Sequence, residues 1–373
     1  MTNLENLISE FCPNGVVYSE LKDVAKIAIG EFVHKNKQTI DGQYPVYNGG
    51  TANTGFYDDF NRTANKIIIS ARGANAGYVN RVFTNFWSGN SCYSVDITDN
   101  NVDWNYVYYC LKSGESKLLG EQQKGSIPAV SKKQVEQFHI PLPPLPVQQE
   151  IVRILDNFTE LTAELNKNLE EELAARRKQY EHYRDELLTF GDDVEWLPLC
   201  KIADIGTGSS NTNEGLSEGK YPFFVRSQEP LRKNEYEFDE TAIITAGDGV
   251  GVGKVYHFYK GKYALHQRAY RIHINTPSVL PKFYYHYMKA KFLPYIEKTM
   301  FHGSVSSIRR PMLNEFPVPI LDMNSQKRII EILDHFDALC NDLTSGLPAE
   351  IAARQKQYEY YRDKLLTFKE LEG

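Results

Sequence analysis

The stretch "AARRKQYEHYRDELLTF" at 174–190 returns as "AARQKQYEYYRDKLLTF" at 352–368. The two copies lie 178 residues apart and differ at three of seventeen positions. A fixed period of that length must be explained before any local motif. The offset extends well beyond the helix-like segment. Gln148 aligns with Gln326, Ile154-Leu155-Asp156 with Ile332-Leu333-Asp334, and Phe158 with Phe336. Upstream, Gly125-Ser126 aligns with Gly303-Ser304, Phe138 with Phe316 and Pro141 with Pro319. The middle of each half is related by pattern alone: "YPVYNGG" echoes "YPFFVRS", and "KIIISARGANAG" echoes "TAIITAGDGVGVG". The chain reads as two copies of one unit, each a diverged part followed by a near-identical helix.

The helical segments differ in kind from the parts before them. From Ile151 to Leu187 eleven positions, apolar or aromatic except for Arg176, step by three or four, with a mean spacing of 3.6. That is the α-helical period. Neither proline nor glycine interrupts 147–187, so a single helix of roughly 65 Å is expected at about 1.5 Å per residue. In the second copy, "SGLPAE" places Gly346 and Pro348 in the run, which predicts a break or sharp kink near 346–348. A stripe that long cannot bury itself, and the simplest partner is the other copy, in an antiparallel coiled-coil pair. The parts before the helices carry short β-branched and aromatic runs ("KIIIS", "TAIIT", "AYRIHI") and short helices near 104–112 and 281–291, all punctuated by Gly and Asn. The expected fold is α+β, with an internal pseudo-twofold repeat in four segments. These are a mixed α/β domain over 1–145, a spacer helix over 146–190, a second domain over 191–322 and a second helical segment over 323–373.

Composition narrows the class. Five scattered cysteines without a C-x-x-C pair, and a polar N-terminus, predict a reduced cytoplasmic setting without a signal peptide. The net charge of −6 is uneven: 146–190 carries −4 and 323–373 carries −2. Lys254 to Arg310, in contrast, holds eleven basic residues against Glu297, and Phe60 to Val95 has four basic residues, six asparagines and no acid. Local basic faces of this kind suit phosphate, whatever the whole-chain charge. Catalytic motifs are incomplete. "GDGVGVGKV" matches neither a dinucleotide nor a P-loop pattern and reads as a glycine turn beside a strand. Glu115-x-Lys117 and Glu218-x-Lys220 are fragments of a nuclease motif, and the nine histidines show no metal-ligand spacing with the cysteines.

Two dissimilar domains with basic faces on a rigid helical spacer make a two-site reader. The layout resembles the specificity (S) subunit of type I restriction–modification enzymes, over essentially the whole chain. The resemblance rests on "PLPPLPVQQEIVRILDNF" (141–158) with "QKRIIEILDHFDAL" (326–339), and on the paired helix signatures 174–190 and 347–368. "YPVYNGG" (44–50) and "GSIPAVSKKQVEQFHIPLPPL" (125–145) look like target-recognition domain motifs. The resemblance implies a non-catalytic subunit whose two domains read the halves of a bipartite site on double-stranded DNA. Its helices would dock two methyltransferase (M) subunits, with restriction/translocase (R) subunits joining through the complex. It also implies no cofactor on this chain, with S-adenosylmethionine, ATP and Mg on the partners. Two domains on a stiff spacer would address half-sites about one helical turn (~34 Å) apart. A stand-alone DNA- or RNA-binding scaffold, not coupled to a methyltransferase, is the alternative.

Within that reading, phosphate contacts are expected from Lys124, Ser126, Lys132 and Lys133, and from Lys254, Ser304, Arg309 and Arg310. Base contacts are expected from Asn48, Arg72, Asn75 and Asn90, and from Arg226, Gln228, His266, Gln267, Arg268 and His302. Each also has an ordinary reading as a solvated loop residue or an Asn holding a turn. Partner contacts are expected from Gln148, Arg153, Arg176, Tyr180, Tyr183 and Arg184 on the first helix, and from Gln326, Arg354, Tyr358, Tyr361 and Arg362 on the second. The tyrosines of "WNYVYYC" and "FYYHYM" read as one buried helical face.

Overall fold

The computed structural model describes residues 3–119, 127–299, 307–341 and 346–371. The duplicated framework is carried by hydrogen bonds at the same offset. Val17–Glu20 pairs antiparallel with His139–Leu142, and Glu195–Pro198 pairs with Pro317–Ile320 in the same register. Next to each ribbon, a buried tyrosine hydroxyl donates to a proline carbonyl: Tyr106 to Pro141 at 3.0 Å and Tyr284 to Pro319 at 2.9 Å. These tyrosines lie on helices Trp104–Ser113 and Pro281–Thr299, so "YVYY" and "FYYHY" form core faces as expected. Helix Trp104–Ser113 starts at Asp103, whose carboxylate accepts from the amides of Asn105 and Tyr106, a standard N-cap.

Each domain is built on a sheet of the same plan. In the first, a four-stranded sheet has Lys66–Ser70 between Cys92–Ile97 and Val79–Val82, with Ala25–Ile29 at one edge; Gly55–Tyr57, Tyr44–Tyr47 and Trp87–Ser88 form a separate three-stranded sheet. In the second domain the corresponding strands join into one six-stranded sheet, because Tyr256–Leu265 is continuous where the first domain breaks between Val82 and Trp87. Buried β-branched runs, Ile67-Ile68-Ile69 and Ile243-Ile244, sit at the centres of these sheets.

The chain forms two compact units, one of residues 1–168 with 351–373 and the other of 169–350. Helix Leu145–Leu187 runs from one into the other. Its N-terminal part belongs to the core of the first domain through Val147, Ile151 and Leu155, and it packs antiparallel on Leu347–Leu365. There the Phe158 and Tyr361 rings lie 6.3 Å apart and Thr159 Oγ1 lies 3.0 Å from the Tyr358 hydroxyl. In the second unit, the C-terminal part of the long helix packs on Met323–Asn341, with Tyr183 stacked on Phe336 at 5.7 Å and Tyr180 6.2 Å from the same ring. Phe158 with Tyr361 and Phe336 with Tyr183 are the same contact in the two copies. Each helix copy therefore pairs with the opposite one. Helix Leu347–Leu365 has Pro348 in its first turn, and the Gly346 carbonyl accepts from the amides of Ala349 and Glu350.

Candidate DNA interface

In both domains four segments near the strand ends are held together by one pattern of main-chain bonds. In the first, the Gly89 amide donates to Tyr47 O, the Ala71 amide to Ser91 O and the Val130 amide to Ala71 O, each at 2.8 Å. In the second, the His266 amide donates to Phe224 O at 2.9 Å, Gly247 to Arg268 O at 2.8 Å and Ile308 to Gly247 O at 2.7 Å. Arg72 pairs with Ala129, and Asp248 with Ser307, as isolated antiparallel bridges. Gly73 and Gly249 follow with φ of +90° and +80°, and the space a Cβ would occupy is open at both, so conformation rather than crowding calls for glycine there.

This frame matches the two domains residue by residue. Asn48 stands where Val225 does, Gly49 where Arg226 does and Arg72 where Asp248 does. Asn90 corresponds to Gln267, and Ser91 to Arg268. The backbone is the same and the solvent-facing side chains differ. That is the division expected of two readers with different targets, because base edges are read by side chains while the scaffold only presents them.

The frame also separates side chains that fasten turns from side chains left facing solvent. Asn48 Oδ1 accepts from the Ser91 amide at 3.0 Å, and Gly89 leaves room for it, since a Cβ there would meet Asn48 Oδ1 at 2.4 Å. Val225 cannot accept, and in the second domain His266 Nδ1 takes the corresponding amide, that of Arg268, at 2.9 Å. His266 is buried; burial, followed by the neighbouring Arg226 charge, lowers its pKa and favours the neutral ring that this acceptor role needs. Asn48 and His266 therefore hold turns, which corrects their assignment as base contacts. Arg72, Asn75 and Asn90 are exposed on the first cluster, and Arg226, Gln267 and Arg268 on the second. Gln228 is not brought to the cluster; it lines a separate cleft with Lys220, Arg232 and His257.

At the cluster edges, helices Lys132–Glu136 and Arg310–Asn314 start at equivalent places, with Lys132, Lys133, Arg309 and Arg310 all exposed. Lys132 reaches Glu136 at 3.2 Å. Lys254 is exposed at the end of the turn that follows Asp248. Lys124, Ser126, His302 and Ser304 lie outside the described residues. Sequence reasoning did not single out Asp248, which pairs with Arg226 and Arg268 in this cluster: in sequence it registers only as a defect in a phosphate-loop pattern, and its alignment with Arg72 is the signal that could have found it.

The helix positions sort differently from expectation. Gln148 and Gln326 are 1% and 0% exposed and cannot face a partner. Gln148 accepts from the Asp103 amide at 2.8 Å and donates to Pro143 O and Asn101 O; Gln326 accepts from the Leu280 amide at 2.7 Å and donates to Leu321 O and Ser278 O. They lock each helix to its own domain. Tyr180, Tyr183, Tyr358 and Tyr361 are engaged in the helix pairs described above. Arg184 and Arg362 each bond the next residue, Asp185 or Asp363, at 2.9 Å. Arg176 reaches Gln179 at 3.0 Å and Arg354 reaches Gln357 at 3.2 Å. Arg153 stands out from the helix, paired with Glu150 at 2.8 Å.

A family model for the type I restriction modification DNA specificity domain matches residues 13–175 and again 193–353. The chain belongs to this family. It is 35% identical over 354 residues to the EcoR124I/EcoR124II type I restriction enzyme specificity subunit of Escherichia coli, a match covering 87% of this chain and 82% of that one. The fold is shared with the S subunit of a type I restriction-modification system from M. genitalium, at a TM-score of 0.54 and 19% identity over 94% of this chain and 96% of that chain. It is shared more closely with a chain solved in work on complex assembly and conformational transition of the type I R-M system, at a TM-score of 0.68 and 15% identity over 95% of this chain and 98% of that chain. The protein is a type I specificity subunit: a DNA-recognition subunit, not itself an enzyme, with two target-recognition domains. Among the described residues no helix is long and apolar enough to cross a membrane.

Proposed function

We propose that the two target-recognition domains read the two halves of one bipartite DNA site, and that the repeated helices dock two methyltransferase subunits in equivalent ways. The carrying observation is the shared loop frame with different outward side chains, since it supplies two readers of one design and two specificities. For docking, the near-identical helix signatures leave the same small exposed face in both copies: Ala174, Ala175 and Lys178, and Ala352, Ala353 and Lys356. In each copy the two alanines lie four and three residues before the lysine, so both neighbour it on one side of the helix. Two copies of one partner need two equivalent surfaces, and an internal repeat supplies them. Restriction/translocase subunits join through the complex, and S-adenosylmethionine, ATP and Mg belong to those partners.

The test is a genome-wide map of methylated adenine in a host expressing this chain with its methyltransferase subunit, compared with a host lacking this chain. A two-part motif with a fixed gap, present only with the chain, is the expected result. Methylation indifferent to the chain would overturn the proposal.

A further inference from the structure

Asp248 sits between two arginines of the second domain. Arg226 Nη1 donates to its Oδ1 at 2.8 Å and Arg268 Nη1 donates to its Oδ2 at 3.0 Å. The carboxylate is 22% exposed, while the arginine side chains are 42% and 62% exposed. A mostly sheltered anion thus divides its two oxygens between two cations that project into solvent. Burial works against ionisation of Asp248, yet the two guanidinium hydrogen bonds outweigh it and keep its pKa below the ordinary range.

The placement is built by the frame rather than by chance meeting of long side chains. Arg226 follows the strand Tyr221–Phe224, Asp248 follows Phe238–Ala246, and Arg268 lies between Tyr256–Leu265 and Ala269–Ile274. The bonds from His266 to Phe224 O and from Gly247 to Arg268 O fix these three loops against one another, and Ile308 bonds Gly247 O in turn. The Arg268 amide is fastened again by His266 Nδ1. Each arginine uses one Nη1 on the carboxylate, out of the five N–H donors of a planar guanidinium. The remaining donors are held in a set direction with part of the rotamer freedom already lost, which favours recognition of a planar pair of acceptors. In the major groove, guanine offers such a pair, O6 and N7, and arginine is its commonest partner. A phosphate-binding role would not need the carboxylate, which subtracts positive charge from the patch. The corresponding position in the first domain is Arg72, so this device is specific to the second domain.

We propose that Arg226 and Arg268, splayed from Asp248, read guanine in the half-site of the second domain, with Asp248 as the positioning residue that aims them. The proposal rests on the bipartite-reader function proposed above. It assigns a base to that half-site and places Asp248, itself a charge of the wrong sign for DNA, inside the recognition surface.

The experiment uses the assembled methyltransferase complex and duplexes built on the motif mapped for the wild-type chain. Binding is measured for the cognate duplex, for duplexes with each guanine of the second half-site replaced, and for an unrelated duplex. In the wild type, replacing the read guanine should weaken binding by about 5- to 150-fold. Arg268→Lys keeps the charge and removes the planar fork, so this discrimination should collapse while binding to the unrelated duplex and its salt dependence stay near wild type. Asp248→Asn should reduce discrimination at the same base pair without weakening binding to the unrelated duplex. A purely structural role for Asp248 would weaken all duplexes alike, and that outcome overturns its positioning role. A second half-site without guanine, or Arg226→Lys and Arg268→Lys complexes that both retain full discrimination, overturns the guanine assignment. If the wild-type complex has no bipartite motif at all, the failure lies with the reader function, and the methylation map will already have shown it.

Discussion

Replacing Gln148 with alanine should destabilise the free chain, and the size of the effect can be worked from the groups it leaves behind. Gln148 satisfies three main-chain groups: the Asp103 amide at 2.8 Å, Pro143 O at 2.7 Å and Asn101 O at 3.1 Å. Asn101 is exposed, so water can replace its bond; Pro143 is buried and Asp103 is half-buried. Two groups are therefore left without a partner, at about 1–3 kcal/mol each, giving a loss of about 2–6 kcal/mol. For a unit of this size that corresponds to a fall of roughly 4–24 °C in Tm. The effect should spread to helix Trp104–Ser113, because Asp103 is its N-cap. Gln326→Ala should produce a comparable loss in the other unit, through Leu280 N, Leu321 O and Ser278 O. The two sites share no partner, so the double variant should be additive in free energy. Thermal denaturation followed by circular dichroism on the chain without partners is the assay. A Tm shift under about 2 °C would refute the reasoning. Unchanged stability combined with a specific loss of methyltransferase binding would restore Gln148 to the partner surface.

Two further outcomes follow from charge. Arg309→Ala with Arg310→Ala should weaken binding to all duplexes alike and lower the slope of log K against log salt by roughly 0.9 for each phosphate no longer neutralised; an unchanged slope would place the phosphate contacts elsewhere. Acidification should weaken the 169–350 unit first, because His257, His266 and His286 all lie there and all have pKa values lowered chiefly by burial. A histidine with a lowered folded pKa keeps its full stability contribution above its unfolded value near 6.5 and loses it as pH falls toward the folded value. Calorimetry at about pH 7.5, 6.5 and 5.5 should show stability falling across that window. His286→Gln should flatten the trend, and a wild-type profile that is already flat would contradict it.

The periodic features were the legible ones. The 178-residue offset visible in "AARRKQYEHYRDELLTF" reappears as identical ribbon registers and as the two tyrosine-to-proline bonds, because aligned residues make aligned contacts. The apolar stripe likewise announced that the helices need partners. The other copy, run antiparallel, was the simplest cover for it, and Phe158 against Tyr361 and Tyr183 against Phe336 are that pairing. The glutamines misled. A polar residue in an amphipathic run looks like surface, and its real duty, serving orphan main-chain groups at a joint, appears only when the joint is folded.

The residues proposed to read bases were half legible, for a reason that also bears on how specificity could diverge. Residue type alone selected Asn48 and His266 together with Arg226 and Arg268, because all can hydrogen-bond to a base. What separates them is whether a nearby turn amide already claims the side chain: Asn48 takes the Ser91 amide, and His266 takes that of Arg268. The claim moves along the chain between domains, from Asn48 with Gly89 beside it to His266 with Val225 in place of the asparagine. One acceptor per turn is retained and its position is free. The loop clamp itself is made of main-chain bonds, which any non-proline residue can donate. A recognition domain built this way can exchange its outward side chains, Arg72 for Asp248 or Ser91 for Arg268, while keeping the clamp that positions them. Specificity can therefore change with little cost in stability, provided each new set of side chains still leaves one acceptor for the turn.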